Sequence, residues 1–129
     1  MWRADQSGNN PEATLRNAAA AGVADRVELH TGNLLELPLA DASFDVVVSN
    51  VAVHSLKTRD DRDRAIDEAV RVLRPGGRLF IADLGGTRQY RQRLRHLGLA
   101  EVSRRDLGWR LWWSGPWLPT HLVSARKPR

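Results

Sequence analysis

Two short stretches of the 129-residue sequence could carry chemistry. SFDVVVSN, residues 43–50, ends on two polar residues, and His54 follows Asn50 by four positions. An imidazole just past an apolar run can take a proton or orient a substrate. A histidine packed into a strand-to-helix turn is the plainer role for the same residue. Asp83 closes a second apolar run, RLFIAD, and either faces a ligand or caps the Gly85-Gly86 turn after it. Trp109, Trp112, Trp113 and Trp117 cluster in GWRLWWSGPWLP. An aromatic pocket, a base-stacking platform or a membrane-interface belt would use them, and so would a hairpin packing on a sheet. Arg88, Arg91, Arg93, Arg95, Arg104, Arg105 and Arg110 form either a phosphate-binding face or a solvated one. The four histidines show no metal-ligand spacing, and neither a P-loop nor a nucleophile elbow occurs.

These residues need elements to hold them. Residues 43–50 carry Val46, Val47 and Val48 in a row, which suits a parallel strand buried on both faces. DRVELH, residues 25–30, alternates with Val27 and Leu29 on one face and predicts a short strand. Asn10-Pro11-Glu12 predicts a helix start, with Leu15, Ala18 and Ala19 as its apolar stripe and Gly22 as its stop. In DDRDRAIDEAVRVLRPGG, Ile66, Ala69, Val70 and Leu73 fall at helical spacing behind leading acids, and Pro75-Gly76-Gly77 ends the helix. Residues 78–83 form the second buried strand. Thr87 can cap a third helix with Tyr90, Leu94 and Leu97 on one face. AEVSRRDL and THLVSARK predict two last strands with no helix between, hence an antiparallel edge. Helices alternating with buried strands give an α/β fold.

Composition sets the outer limits. A hydrophobic fraction of 42% supports a core for one domain of ordinary size. No apolar run approaches membrane-span length. The absence of cysteine excludes disulfides and thiolate chemistry and is compatible with a cytoplasmic address. Twenty basic residues, all but two of them arginine, stand against fifteen acids, for a net charge of +5. Nucleic acid or anionic lipid could exploit that charge, but a solvated surface in an arginine-favouring composition is the plainer account.

GNLLELPLADASFDVVVSNVAVHSL followed by AVRVLRPGGRLFIAD resembles the class I S-adenosylmethionine-dependent methyltransferases of the broad type 11 kind. The pairing of FDVVVSN with LRPGGRLFIAD at this spacing carries the resemblance. It implies a Rossmann-like sheet ordered 3-2-1-4-5-7-6, mostly parallel with the last strand antiparallel and with flanking helices. It also implies S-adenosylmethionine as cofactor. Asn33 then stands where the family usually has an acid beside the adenine amine, Leu34 offers its amide to the ring, and Leu35 offers its apolar side; the alternative is that Thr31-Gly32-Asn33 is only a turn. Ser49, Asn50 and Val51 face the methionine moiety or form only an Asn-containing strand-to-helix turn, and His54 lies near the acceptor as the candidate catalytic residue. In such enzymes a glycine-rich turn and a strand-end acid hold the cofactor's carboxylate and ribose. No two of the ten glycines here are separated by a single residue, so no G-x-G occurs. MWRADQSGNNPEATLRN resembles the turn and helix after the second strand. The expectation is a partial sheet, residues 1–129 being a single domain and the C-terminal portion of a methyltransferase domain.

The expected function is methyl transfer to a small-molecule acceptor, with negligible cofactor binding by these residues alone. A non-enzymatic remnant or interaction module is one alternative, and an RNA-binding or RNA-methylating protein is another. The core is expected to pair residues 44–49 with 78–83, extended by 120–126 and then by the strand near Val102. Residues 25–30 should lack a partner, and the apolar edge at Val46-Val47-Val48 should promote self-association.

Overall fold

The computed structural model describes residues 11–30, 32–50, 53, 56–106 and 120–129. The chain divides into two compact units, Met1–Pro38 and Leu39–Arg129. In the first, helix α1 (Pro11–Ala20) stops where Gly22 predicts. Val23 N donates to Ala18 O and Gly22 N to Ala19 O, both at 3.0 Å, a Schellman end that uses the +73° φ of Gly22. Of the expected apolar stripe only Ala18 is buried, while Leu15 is 46% exposed. Residues 25–30 do not form the expected strand. Ala24–Arg26 is a 3-10 turn, and residues 27–30 have no ladder partner among the described residues. Alternation supplies a face, but a strand persists only where a neighbour takes up its backbone groups.

The second unit holds the core. Its elements are β1 (Phe44–Asn50), α2 (Arg59–Val72), β2 (Leu73–Asp83), α3 (Thr87–His96), β3 (Ala100–Asp106) and β4 (His121–Arg126). The sheet order is β1-β2-β4-β3. β1 and β2 are parallel, and β4 is antiparallel to both β2 and β3. This is the predicted core, and it reproduces the last four places of the order that the resemblance implies.

Alternation decides which face the helices cover. Leu79, Ile81 and Asp83 of β2 and Val123 of β4 are at most 1% exposed, beneath Ile66 of α2 and Tyr90 and Leu94 of α3. The opposite face remains open at β1, where Val46 is 52% and Val48 70% exposed. The valine run is therefore not buried on both faces as its composition suggested. Val47 is half-buried on the helix side, and its neighbours point the other way.

Capping follows the sequence at one helix and departs from it at the other. Thr58 caps α2, its Oγ1 accepting from Asp61 N at 3.0 Å, with Asp60 and Asp61 at the positive end of the dipole. α3 is capped by Gly86 rather than Thr87. Gly86 has a φ of +74°, and a Cβ there would meet the Tyr90 hydroxyl at 3.0 Å. Thr87 instead accepts from Arg104 Nε at 2.8 Å, and Leu97 lies beyond the helix, partly exposed.

α2 passes into β2 without a loop, and its last carbonyls accept from backbone amides: Val70 O from Leu73 N, Arg71 O from Ala42 N at 2.9 Å and Val72 O from Ser43 N at 2.8 Å. Lys127 Nζ adds a charged donor to this corner, donating to Val70 O at 2.9 Å and Leu73 O at 2.8 Å. The Lys127 backbone closes the same corner, accepting from Gly76 N at 2.7 Å and donating to Gly77 O at 2.9 Å. At Gly77 a Cβ would lie 2.7 Å from Leu73 Cδ1 and 2.8 Å from Arg74 O, whereas at Gly85 it would meet nothing within 4 Å. Gly77→Ala is therefore expected to destabilise the protein by about 1–3 kcal/mol. Gly85→Ala should stay within about 0.5 kcal/mol of wild type. Chemical denaturation of the two variants in parallel checks the contrast.

Candidate functional site

Residues 32–38 fold into a tight turn. Glu36 N donates to Asn33 O at 3.0 Å, and an isolated antiparallel bridge joins the same two residues. Inside the turn, Leu35 N donates to Asn33 Oδ1 at 2.9 Å, an Asx arrangement. The turn closes on Pro38, whose Cδ would lie 2.8 Å from a Cβ at position 32, so Gly32 is required there. Asn33 thus spends one acceptor lone pair on the turn and keeps the other. Leu34 and Leu35 are half-buried, and the Leu34 amide donates to no atom of the described residues. The turn therefore offers a free donor beside apolar side chains, which suits a ring nitrogen of a flat heteroaromatic group.

The remaining predicted residues lie in the second unit. Ser49 and Asn50 end β1 opposite Ile81 and Ala82, at the carboxyl edge where open α/β sheets bind ligands. Ser49 is half-buried on the helix-covered side and Asn50 is exposed on the other. Val51 and His54 lie outside the described residues, as do Arg110 and the four tryptophans. The structure thus joins Asn33, Leu34 and Leu35 in one turn, and sets Ser49 and Asn50 beside the end of β2.

Asp83 resolves toward the turn. It is fully buried, its Oδ1 accepting from Leu84 N at 2.8 Å and its Oδ2 from the Tyr90 hydroxyl at 3.0 Å. This carboxylate holds the β2-to-α3 connection. The ladder also sets His121 opposite both Asp83 and Asp106, an acid–imidazole–acid row at the same edge. Sequence reading missed it because the three residues are far apart in the chain and only strand register unites them. Among the described residues no cluster of histidine and acidic side chains could hold a metal ion. Nor is any described helix long and apolar enough to cross a membrane.

A sequence profile described as a methyltransferase domain matches residues 3–81. The 27-O-demethylrifamycin SV methyltransferase of Amycolatopsis mediterranei (strain S699) is 41% identical over 92 residues, 67% of this chain and 33% of its own. Among solved structures, the [4+2]-cyclase SpnF matches with a TM-score of 0.74 at 22% identity, over 95% of this chain and 63% of that one. The N-methyltransferase NodS from Bradyrhizobium japonicum WM9, in complex with S-adenosyl-L-homocysteine, matches with a TM-score of 0.69 at 20% identity, over 93% of this chain and 64% of that one. Likeness at such identities shows the fold. The chain spans a third or less of the length of the curated relatives it matches.

Burial, then the charge of Asp83 and its hydrogen bond, raise the Tyr90 pKa above the ordinary tyrosine value. An unfolded tyrosine ionises near pH ~10. The folded chain holds the Tyr90 proton to higher pH, so this stabilisation is full below that point and falls away above it, by about 1.4 kcal/mol per unit. Tyr90→Phe leaves Asp83 Oδ2 without its hydroxyl donor and should cost about 1–3 kcal/mol at neutral pH. The variant should also lose this part of the alkaline decline, measurable as denaturation midpoints between neutral and strongly alkaline pH.

Proposed function

The chain belongs to the methyltransferase-domain family, and from that premise we propose that it forms part of an S-adenosylmethionine-dependent methyl-transfer site for a small-molecule acceptor. The observation that carries this reading is the free Leu34 amide flanked by two half-buried leucines. Adenine needs a donor to a ring nitrogen and an apolar surface against its face, and this turn fits both. Asn33 keeps one acceptor lone pair for the exocyclic amine. Ser49 and Asn50, with Val51 after them, are the residues assigned to the methionine side, and His54 to the acceptor side. S-Adenosylmethionine supplies an electrophilic methyl group on a sulfonium. The residues here bind and orient it.

Carboxylate and ribose contacts are not assigned to these 129 residues, whose sequence holds no G-x-G turn. Each charge-assisted contact is worth about 1.5–3 kcal/mol, so two fewer weaken binding roughly hundred-fold or more. A second reading is a non-enzymatic remnant or interaction module unable to bind cofactor, since one fold can host many functions. The cysteine-free composition is compatible with a cytoplasmic address.

With S-adenosyl-L-homocysteine added to about 1 mM or above, the Leu34 and Leu35 amide signals of the labelled chain should shift. Leu34→Pro, which removes the donor at a turn position that accepts proline, should abolish the shifts elsewhere in the turn. Identical titrations of wild type and Leu34→Pro would refute the adenine assignment.

We further propose that β1, an edge strand in the described sheet with exposed Val46 and Val48, pairs with a second copy of the chain. Size-exclusion chromatography should show a concentration-dependent oligomer that Val48→Lys converts to monomer.

A further inference from the structure

Arg104 reaches from β3 to the first turn of α3, where its Nε donates to Thr87 Oγ1 at 2.8 Å. That bond holds the guanidinium beside Arg88, the next residue of the helix. Arg91 follows Arg88 by three positions and Thr87 by four, so all three helix residues share one side of α3. Arg91 Nε is sealed from solvent and meets no acceptor. Such buried orphan donors are rare and costly.

Some arginines of the chain are held by acids. Asp67 clamps Arg93 through two bonds, at 2.8 and 2.7 Å. Glu68 and Asp41 hold Arg71, and Asp45 lies 3.2 Å from Arg74. Among the described residues no ion pair reaches Arg88, Arg91 or Arg104. The first turn of α3 holds no acid, and its cap, Gly86, offers no side-chain acceptor. Burial, then the like charges of Arg88 and Arg91, lower the Arg104 pKa from the ordinary arginine value, and Asp106 opposes them least of all.

Position adds a second argument. α3 begins just past the carboxyl end of β2, and Arg104 lies two residues before the end of β3, which runs in the same direction as β2. The cluster therefore sits at the edge where open α/β sheets bind ligands. Planar guanidiniums match the oxygens of phosphate, which offers enough acceptors to satisfy several of them at once.

We propose that Arg88, Arg91 and Arg104 form a binding site for the phosphate group of a small anion. The site is independent of cofactor binding, so its test needs no methyl transfer.

Thermal unfolding of the full chain in millimolar inorganic phosphate, against chloride at matched ionic strength, reads it directly. Phosphate should raise the midpoint where chloride does not. Arg91→Gln should unfold no earlier than wild type without phosphate, because it relieves repulsion and removes the orphan donor. Its half-saturating phosphate concentration should rise about tenfold or more, the loss of one charge-assisted contact. Arg88→Gln, at an exposed position, should weaken the response similarly, so the proposal stands testable even if position 91 proves necessary for folding. Arg64→Gln, on an exposed position of α2, should keep the wild-type response. An unchanged phosphate response in both Arg88→Gln and Arg91→Gln, or an equal response to chloride, would overturn the site. Tight binding of a short single-stranded RNA that millimolar phosphate fails to displace would overturn the small-anion assignment in favour of a nucleic-acid surface.

Discussion

The junction between α2 and β2 is the constraint on which the sheet depends. The helix becomes a strand at Leu73 with no intervening loop, so helical carbonyls meet strand geometry within one turn. Lys127 reconciles the two by placing one ammonium between Val70 O and Leu73 O. Its cation also complements the negative end of the helix dipole. Because β2 pairs with both β1 and β4, fixing its entry fixes the register of both neighbours. Arg71 extends the same control to the approach of β1, binding Leu39 O and Asp41 while Ala42 N and Ser43 N bond to the end of α2.

At the opposite end of β2, polar chemistry does the positioning. Asp83 is fully buried, and such a carboxylate survives only with donors around it. Leu84 N and the Tyr90 hydroxyl provide them and in doing so set where α3 begins. α3 then leans on α2 through a polar seam: Gln89 bridges Arg62, Arg59 O and Asp63, and Arg93 meets Asp67. The carboxyl edge of the sheet is thus a rigid frame, and the residues that can face a ligand are carried on it.

Much of this was legible in the residues themselves. The apolar run at 78–83 and the helical spacing of Ile66 gave the elements of the second unit, and the order of strands followed from the family likeness; the helix ends earlier than expected, at Val72, and Leu73 with Pro75-Gly76-Gly77 lies in β2. Residues 25–30 lack a partner among the described residues, as expected, and without one their period-two alternation did not make a strand. Thr87 misled because a threonine at a helix start has two uses, and the neighbouring glycine with positive φ took the cap. The Asx turn at Asn33 was foreseen only as a position. That the Asn33 side chain would accept from Leu35 N depends on local geometry that composition does not encode. The arginines of α3 and β3 were visible as a group, but only tertiary placement separates paired Arg93 from Arg88, Arg91 and Arg104.

The Lys127 clamp has a kinetic side. Its bonds join residues separated by 57 and 54 positions, so they form only after nearly the whole second unit has been synthesised. Until then the corner between α2 and β2 lacks its ammonium, and β2 lacks β4 on one side. Long-range closure of this kind carries a loop-entropy cost before any contact rewards it, and it slows folding. A nascent chain would therefore hold a two-stranded parallel ribbon with open edges for as long as translation takes to reach β4. During that interval the apolar strands are exposed to one another on neighbouring chains.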